Sequence, residues 1–248
     1  MNVFDNVDSA QYDSARPFFH PRVYERLASL WDGPLDRGLD VACGTGHSAV
    51  ALLPFAKEVV AVDPSRAMLS HARSRSRIRY VRAAAERLPF VDKSFDLVSV
   101  SLGIHWFDEP AFLEEAHRVL RAAGWLFVYD SGFPEVMKGA DGFARWLGLY
   151  RDRFPAPSRA DFRLQDGWVS RRGFETVRAE SFVLTRECDF DSFAAYVVTQ
   201  SRIVWALTGG LETGDAIRTW LEKTLRPQFE SQVKTLEYDV WLAAYRAV

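Results

Sequence analysis

Short apolar runs that alternate with helical segments constrain the fold of this chain most strongly. Five such runs, rich in Val, Leu or aromatic residues and bounded by Gly, Asp or Pro, are RGLDVA, KEVVAVD, RIRYVRA, FDLVSVSL and GWLFVYD. The segment EPAFLEEAHRVLRAAG spaces apolar residues along one helix face and is predicted to end at Gly124. Strands alternating with helices predict right-handed crossovers and an α/β, doubly wound parallel sheet.

The sequence changes character after Asp130. Residues 131–167 are rich in Gly, Pro and aromatic side chains and contain no clear strand. Two further strand candidates, FETVRAESFVLT and KTLEYDVWLAAYRAV, flank a helical region between Phe193 and Leu207. The prediction is therefore a Rossmann-like, doubly wound, seven-stranded and mostly parallel sheet, with a helical cap inserted near the C-terminal strands.

Charge and composition narrow the classes of partner. The chain has 248 residues, 48% of them hydrophobic, which is enough for one core. Its 31 basic and 33 acidic residues are mixed, so neither nucleic acid nor a membrane is expected as a partner. No uncharged apolar stretch approaches the roughly 18 residues of a membrane span. Two cysteines, Cys43 and Cys188, make no disulfide framework, and a reducing cytoplasm is expected.

The stretch LDVACGTGHSAVAL, residues 39–52, predicts a ligand at the carboxyl end of the first strand. Gly44, Gly46 and Ala49 formally satisfy the dinucleotide-binding pattern. Asp40, however, would repel a pyrophosphate, whereas it would attract the sulfonium and ammonium of S-adenosylmethionine. Asp63 is placed to accept hydrogen bonds from ribose hydroxyls with either ligand. Asp40 is thus the residue that favours S-adenosylmethionine.

Residues 39–131 resemble the core of class I S-adenosylmethionine-dependent methyltransferases. The matching segments are LDVACGTG, AVDPSRAML, AAAERLPFVDKSFDLVSVSLGIHWFD and EEAHRVLRAAGWLFVYD. The text HWFD at 105–108 and the late FAAYVVTQSRIV resemble the trans-aconitate methyltransferase-like branch, whose members methylate small molecules. The resemblance implies an enzyme with S-adenosyl-L-methionine as cofactor and a small-molecule substrate.

The same resemblance suggests how the cofactor is held. It implies that Tyr12 and Arg16 fold over the methionine end. Many relatives have an acid where this chain has Ala84, so adenine is expected to be held by the backbone N–H of Ala85 and by apolar contact from Met68 or Leu88. The full set of predicted cofactor contacts is Tyr12, Arg16, Asp40, Gly44, Gly46, Asp63, Met68, Ala85, Glu86 and Ser101.

The predicted domain organisation is a single methyltransferase domain, residues 1–248. Residues 1–36 are expected to form a cofactor-covering segment and helix, and residues 37–131 the cofactor-binding core. Residues 132–248 are expected to supply cap helices and the last two strands. The chain is expected to be a monomer or a homodimer.

His105 is the candidate catalytic residue because it follows the fourth strand, beside the expected position of the transferable methyl. If the acceptor is a carboxylic acid, as the branch resemblance implies, Arg202 would bind it and His105 would orient it. If the acceptor is a phenol or an amine, His105 would remove its proton. Trp106, Tyr196 and Trp205 are further candidate substrate contacts.

Two functions from other classes stay open on the sequence alone. One is a dinucleotide-dependent oxidoreductase, which Asp40 disfavours. The other is a non-catalytic cofactor-binding module, which the missing acid at Ala84 keeps open. No His, Cys, Asp or Glu set has the spacing of metal ligands, so no metal is expected.

Overall fold

The computed structural model describes residues 8–31, 33–157, 169–230 and 232–248, and the chain divides into two compact units. We call Phe18–Asp130, Ala160–Ser181 and Trp241–Val248 the sheet unit. We call Met1–Pro17, Ser131–Arg159 and Phe182–Val240 the helical unit.

The described residues form a sheet of eight strands, one more than expected. The strands are β1 Leu35–Val41, β2 Ala56–Asp63, β3 Ile78–Arg82, β4 Phe95–Ser101, β5 Leu120–Ser131, β6 Val136–Met137, β7 Phe174–Cys188 and β8 Lys234–Ala247. The extra strand is β6, which has only two residues and lies in the segment without a clear strand pattern. These two residues pair antiparallel with Leu236 and Glu237 of β8. This short pairing leaves no alternation for a sequence pattern to detect.

The strand order confirms the predicted doubly wound fold. It runs β3-β2-β1-β4-β5-β8-β6, with β7 also paired to β8, and neighbours from β3 to β5 are parallel. From β1 the chain builds outward through β2 and β3 and then returns to place β4 on the other side of β1. Ligands of such sheets bind at the carboxyl ends of the strands where the order reverses, which here are β1 and β4.

The helices within the described residues are mostly short. They are α1 Ser9–Ala15, α2 His20–Leu27, α3 His47–Leu52, α4 Arg66–Ser70, α5 Glu109–Val119, α6 Phe143–Arg153, α7 Phe190–Val198, α8 Ser201–Thr208, α9 Gly214–Thr224 and α10 Arg226–Phe229. Short 3₁₀ turns cover Ala28–Leu30 and Ile104–Trp106. No helix in this part of the chain is both long and apolar enough to cross a bilayer.

The prediction that α5 continues to Gly124 is wrong. The helix ends at Val119, and Leu120 already pairs with Phe95 of β4. The N–H of Ser94 donates to the carbonyl of Val119 at 2.8 Å, which fixes this end of the helix to the start of β4. Strand pairing therefore overrides the helical spacing of the last apolar residues.

The single helical region expected between Phe193 and Leu207 is also two helices. Thr199 ends α7, where its hydroxyl donates to the carbonyl of Tyr196 at 2.7 Å. Gln200 is extended and caps α8, which begins at Ser201. A threonine hydroxyl that bonds to a backbone carbonyl of its own helix competes with the hydrogen bonds that would continue the helix. Tyr196 and Arg202 therefore lie on two different helices.

Each unit has its own apolar core. In the sheet unit, Val41, Val62, Val98 and Leu126 are buried on neighbouring strands, as expected for a parallel sheet. In the helical unit, a column of aromatic rings fills the core. Successive rings are nearly parallel, with interplanar angles of 9° to 17°, along Tyr196, Phe133, Tyr150, Trp146 and Phe143.

Candidate active site

The glycine-rich loop after β1 has a backbone that favours glycine. Gly44 and Gly46 have φ angles of +54° and +86°. A Cβ atom on Gly46 would lie 2.2 Å from the Tyr80 hydroxyl, so no larger residue fits without displacing that ring. A Cβ on Gly44 would meet nothing within 4 Å, which leaves the backbone open there.

Asp63, at the end of β2, holds this loop in place. Its Oδ2 accepts a hydrogen bond from the N–H of Gly44 at 2.9 Å, and its Oδ1 accepts one from the N–H of Ser65 at 2.8 Å. The side chain is almost fully buried. Because each carboxylate oxygen can accept more than one hydrogen bond, these contacts leave capacity for ribose hydroxyls.

Asp40 is a fully buried carboxylate at the end of β1. Ser48 of α3 donates to its Oδ2 at 2.5 Å, and Oδ1 has no hydrogen-bond partner among the described residues. Burial, together with the nearby charge of Asp63, raises the pKa of Asp40 to about 7, although the Ser48 hydrogen bond opposes this. An unpartnered buried oxygen of this kind is suited to a cationic ligand.

This buried acid predicts a pH-dependent stability that Asp40→Asn should remove. Since the folded pKa lies above the ordinary value, the folded protein binds the proton more tightly than the unfolded chain, and stability falls as pH rises through about 4 to 7. Relative to wild type, the asparagine variant should gain about 3 kcal/mol in free energy of unfolding between pH 5 and pH 8. Urea unfolding of the ligand-free proteins measures this.

Asp36→Asn is the matched control for that experiment. Asp36 is exposed and pairs with Lys57 at 2.7 Å, which lowers the pKa of Asp36, so it stays ionised throughout this pH range. The control should follow the wild-type curve. Parallel curves for Asp40→Asn and wild type would instead show that Asp40 is ionised in the folded protein.

The loop after β4 lies at the same edge of the sheet and is held on two sides. Leu102 has a φ of +55°, an uncommon conformation for a residue other than glycine. Its N–H donates to the carbonyl of Tyr129 on β5 at 3.0 Å. On the other side, a Cβ on Gly103 would lie 2.7 Å from the Cβ of Ala42, the residue that follows β1. The loop is therefore fixed against both neighbouring strands.

His105 lies in the 3₁₀ turn of this loop and contacts two side chains. Its Nδ1 is 3.1 Å from Oδ2 of Asp130 near the end of β5. Its ring lies 5.0 Å from the ring of Trp106. The side chains of His105 and Asp130 are only 16% and 19% exposed, so the pair is largely shielded from water. An imidazole fixed by a carboxylate at a strand end is an arrangement suited to general-base chemistry.

Buried hydroxyl groups connect α2 to the sheet beneath this edge. The Nδ1 of His20 lies 2.9 Å from the Tyr129 hydroxyl and 3.2 Å from Oγ of Ser101. The Tyr24 hydroxyl lies 2.8 Å from Oγ of Ser99. Burial is the main cause that raises the pKa of both tyrosines, so they stay neutral. Ser101, predicted to contact the cofactor, contacts His20 in this structure.

The predicted adenine-side residues of the sheet unit occupy different environments. Ala85 and Met68 are buried, and the N–H of Met68 donates to Oγ of Ser65 at 3.3 Å. Glu86 accepts a hydrogen bond at 3.0 Å from the N–H of Asp108, the residue that caps α5. One oxygen of Glu86 is thus committed to the backbone of the sheet unit.

The other predicted site residues belong to the helical unit. The Arg16 guanidinium lies over the rings of Tyr12 and Tyr196, at 4.6 Å and 5.5 Å from their centroids, and donates to the carbonyl of Thr199 at 3.0 Å. On α8, Arg202 donates to the carbonyl of Phe154 at 2.7 Å. Trp205 on the same helix is 45% exposed.

The sequence reasoning missed one residue of this site, Asp130. It recognised VYD as the end of a strand but assigned no role to the acid. The position of Asp130 in the sequence could have indicated a role, because an acid at the end of the fifth strand lies beside the residues that follow the fourth strand. The parallel register, with Ser101 opposite Tyr129, places them together.

The sheet-unit residues fit S-adenosylmethionine better than a dinucleotide. A buried carboxylate with an unpartnered oxygen suits a cation and would repel a pyrophosphate. The open backbone at Gly44 permits close approach, and Asp63 offers acceptors to hydroxyl groups. Within the described ranges, no three His, Cys, Asp or Glu side chains gather as metal ligands.

Comparison with known proteins agrees with this geometry. A family described as "Methyltransferase domain" matches residues 39–128, from the end of β1 into β5. A demethylmenaquinone methyltransferase from Mycobacterium sp. (strain KMS) is 44% identical over 111 residues, which are 44% of this chain and 48% of that relative. The chain is a class I S-adenosylmethionine-dependent methyltransferase.

Similarity to other methyltransferases extends beyond the matched domain. A Dictyostelium discoideum protein described as a methyltransferase is 26% identical over 193 residues, covering 76% of this methyltransferase and 73% of the relative. The solved structure of a type II methyltransferase from Anaeromyxobacter dehalogenans superposes with a TM-score of 0.72 at 22% identity. That alignment covers 93% of this chain and 97% of the other, which establishes the shared fold.

Proposed function

We propose that this methyltransferase acts on a small organic acceptor that must lose a proton, with His105 as the general base. The observation that carries the proposal is the position of the His105 imidazole, in the loop after β4 and 3.1 Å from Asp130. A base at this edge of the sheet is useful only if the acceptor has an acidic O–H, N–H or C–H bond. The Mycobacterium relative is named for demethylmenaquinone, and a small acceptor is proposed for this chain as well.

The proposed division of work assigns the cofactor to the ends of β1 and β2. Asp40 would face its positive charges, the backbone at Gly44 would lie against it, and Asp63 would accept from its ribose hydroxyls. When bound, S-adenosylmethionine supplies a methyl group on a positively charged sulfur: the acceptor's electron pair bonds to the methyl carbon, the bond from that carbon to sulfur breaks, and the sulfur is left in a neutral thioether. The acceptor's proton goes to His105. The remaining work of the protein is positioning and exclusion of water.

Carboxylic acid methylation, the version implied by the trans-aconitate-like branch, relies on Arg202 instead of a base. Arg202 is already bonded to the carbonyl of Phe154, which commits part of its guanidinium to the helical unit. A carboxylate also needs no proton removed, so it would leave the His105 and Asp130 pair without a chemical task. Acceptors that lose a proton are therefore favoured.

An acceptor panel with methyl-labelled S-adenosylmethionine tests the choice between these two acceptor classes. Each phenol, enol or amine is paired with a carboxylic acid on the same carbon skeleton. Label should enter the phenols, enols or amines, and the rate should fall at low pH, where a protonated imidazole cannot act as a base. Label found only in the acids, at a rate independent of pH, would refute the proposal.

Arg202→Lys gives an independent prediction with the same panel. For an acceptor that loses a proton, the KM and kcat of this variant should stay within about twofold of wild type, because no carboxylate needs the planar guanidinium. The lysine keeps the positive charge, so the substitution changes only the shape of the donor. A large rise in the acceptor KM would assign Arg202 to a carboxylate and favour the acid version.

A further inference from the structure

We propose that Asp130 is the positioning residue of the methyl transfer: it keeps the imidazole proton of His105 on Nδ1, so that Nε2 takes the proton of the acceptor. This inference rests on the proposed function, because it assigns atoms to the base that the function requires. It adds a residue, a tautomer and a direction of proton movement.

Hydrogen-bond chemistry determines the tautomer. A neutral imidazole has one N–H donor and one nitrogen with a lone pair, and an ionised carboxylate only accepts. The 3.1 Å contact joins Nδ1 of His105 to Oδ2 of Asp130, so Nδ1 carries the hydrogen. The lone pair is then on Nε2, the nitrogen on the opposite side of the ring from Asp130. The partner of one ring nitrogen thus decides what the other can do.

The surrounding backbone keeps the pair together. Ser101 and Tyr129 are register partners on parallel strands, so the loop that carries His105 and the residue Asp130 leave the sheet side by side. The N–H of Leu102 bonds to the carbonyl of Tyr129, and the N–H of Trp106 bonds to that of Gly103, both at 3.0 Å. Both side chains of the pair are therefore attached to backbone that is hydrogen-bonded close to them.

The contact also stabilises the charge that forms during the reaction. When Nε2 accepts the proton of the acceptor, the ring becomes an imidazolium beside the carboxylate. Asp130 remains ionised, and the proton later leaves Nε2 for solvent, so no other acid or base is needed. Because the side chains are 16% and 19% exposed, water screens this ion pair only partly.

Two Asp130 variants and one matched control test the assignment. Asp130→Asn keeps the size of the side chain but can bond either tautomer, and Asp130→Ala removes the contact altogether. Asp108→Asn makes the same chemical change at the cap of α5, where asparagine caps a helix as well as aspartate does. Nitrogen-15 NMR of histidine-labelled protein reports the tautomer without any acceptor. Of the five histidines, His105 is assigned from the signal missing in His105→Ala.

In the wild type and in Asp108→Asn, the spectrum should show Nδ1 of His105 protonated and Nε2 unprotonated. Both Asp130 variants should show mixed tautomers. With a phenol or amine that the wild type methylates, their kcat should fall by about 10- to 100-fold, the loss seen when metal-ligating histidines lose an orienting carboxylate, at unchanged KM for S-adenosylmethionine. Thermal unfolding confirms that each variant is folded.

Two results would overturn the assignment: an unprotonated Nδ1 in the wild type, or an unchanged tautomer and kcat in Asp130→Asn. Failure of the proposed function has a different signature. If His105→Ala retains full activity, no base is needed and the function fails, whatever the Asp130 variants do. If His105→Ala loses activity while Asp130→Asn keeps it, the base remains and only the role of Asp130 is wrong.

Discussion

His105→Ala is expected to lower kcat by about 10²–10⁴-fold, the usual contribution of a positioned general base. The variant leaves the acceptor with no group to take its proton, while Asp40, Gly44 and Asp63 are untouched. The KM for S-adenosylmethionine should therefore stay close to wild type, so that the loss falls on turnover. Steady-state kinetics with a phenol or amine acceptor measures both constants.

The pH profile and a second histidine variant complete this test. Wild-type kcat should depend on pH, and His105→Ala should lose that dependence, because the variant has no imidazole to take the proton. His71→Ala is the control, because His71 is exposed at the end of α4, where its ring lies near Ser70 and the carbonyl of Ala67. A His105→Ala profile that overlays wild type would remove the base from the mechanism.

Asp63→Ala should weaken binding of S-adenosylmethionine by about 2–4 kcal/mol, or roughly 30- to 700-fold in Kd. The substitution removes the acceptor of the Gly44 and Ser65 backbone N–H groups and, with it, the proposed partner of the ribose hydroxyls. Isothermal titration calorimetry measures the change, and thermal unfolding shows whether the variant is folded.

Tyr80→Phe separates loop stability from ribose binding in that experiment. The Tyr80 hydroxyl donates to the carbonyl of Arg73 at 2.9 Å and lies against Gly46, so its loss disturbs the same loop without touching Asp63. A smaller effect is expected, about tenfold or less in Kd, since one neutral hydrogen bond is lost. Equal losses in the two variants would mean that Asp63 acts only through the loop.

Local patterns were sufficient to predict which residues of the candidate site lie at the end of a single strand. Asp40 lies near the end of the first apolar run, Gly44 and Gly46 follow that run, and Asp63 ends the second. Parallel strands have continuous apolar sequences and end at a common edge, so a polar residue at the end of each run is expected near the ligand. Their hydrogen bonds, such as that from Gly44 to Asp63, follow from this shared edge.

Contacts between distant segments were not predictable in the same way. The pairing of His105 with Asp130 depends on the register of β4 and β5, which a single strand pattern does not contain. Tyr12, Arg16 and Tyr196 were assigned separate roles with cofactor and substrate, yet they form one cation–π cluster. The helix break at Thr199 depends on one side-chain hydrogen bond, which apolar spacing cannot reveal.

The proposed site at the ends of β1 and β2 takes S-adenosylmethionine and not a dinucleotide. Calorimetric titration of the purified wild-type protein with S-adenosylmethionine and, separately, with NADH tests it most directly. We expect saturable binding of S-adenosylmethionine at one site per chain and no binding of NADH, because the buried Asp40 would repel a pyrophosphate. Saturable NADH binding, with no heat from S-adenosylmethionine, would contradict it.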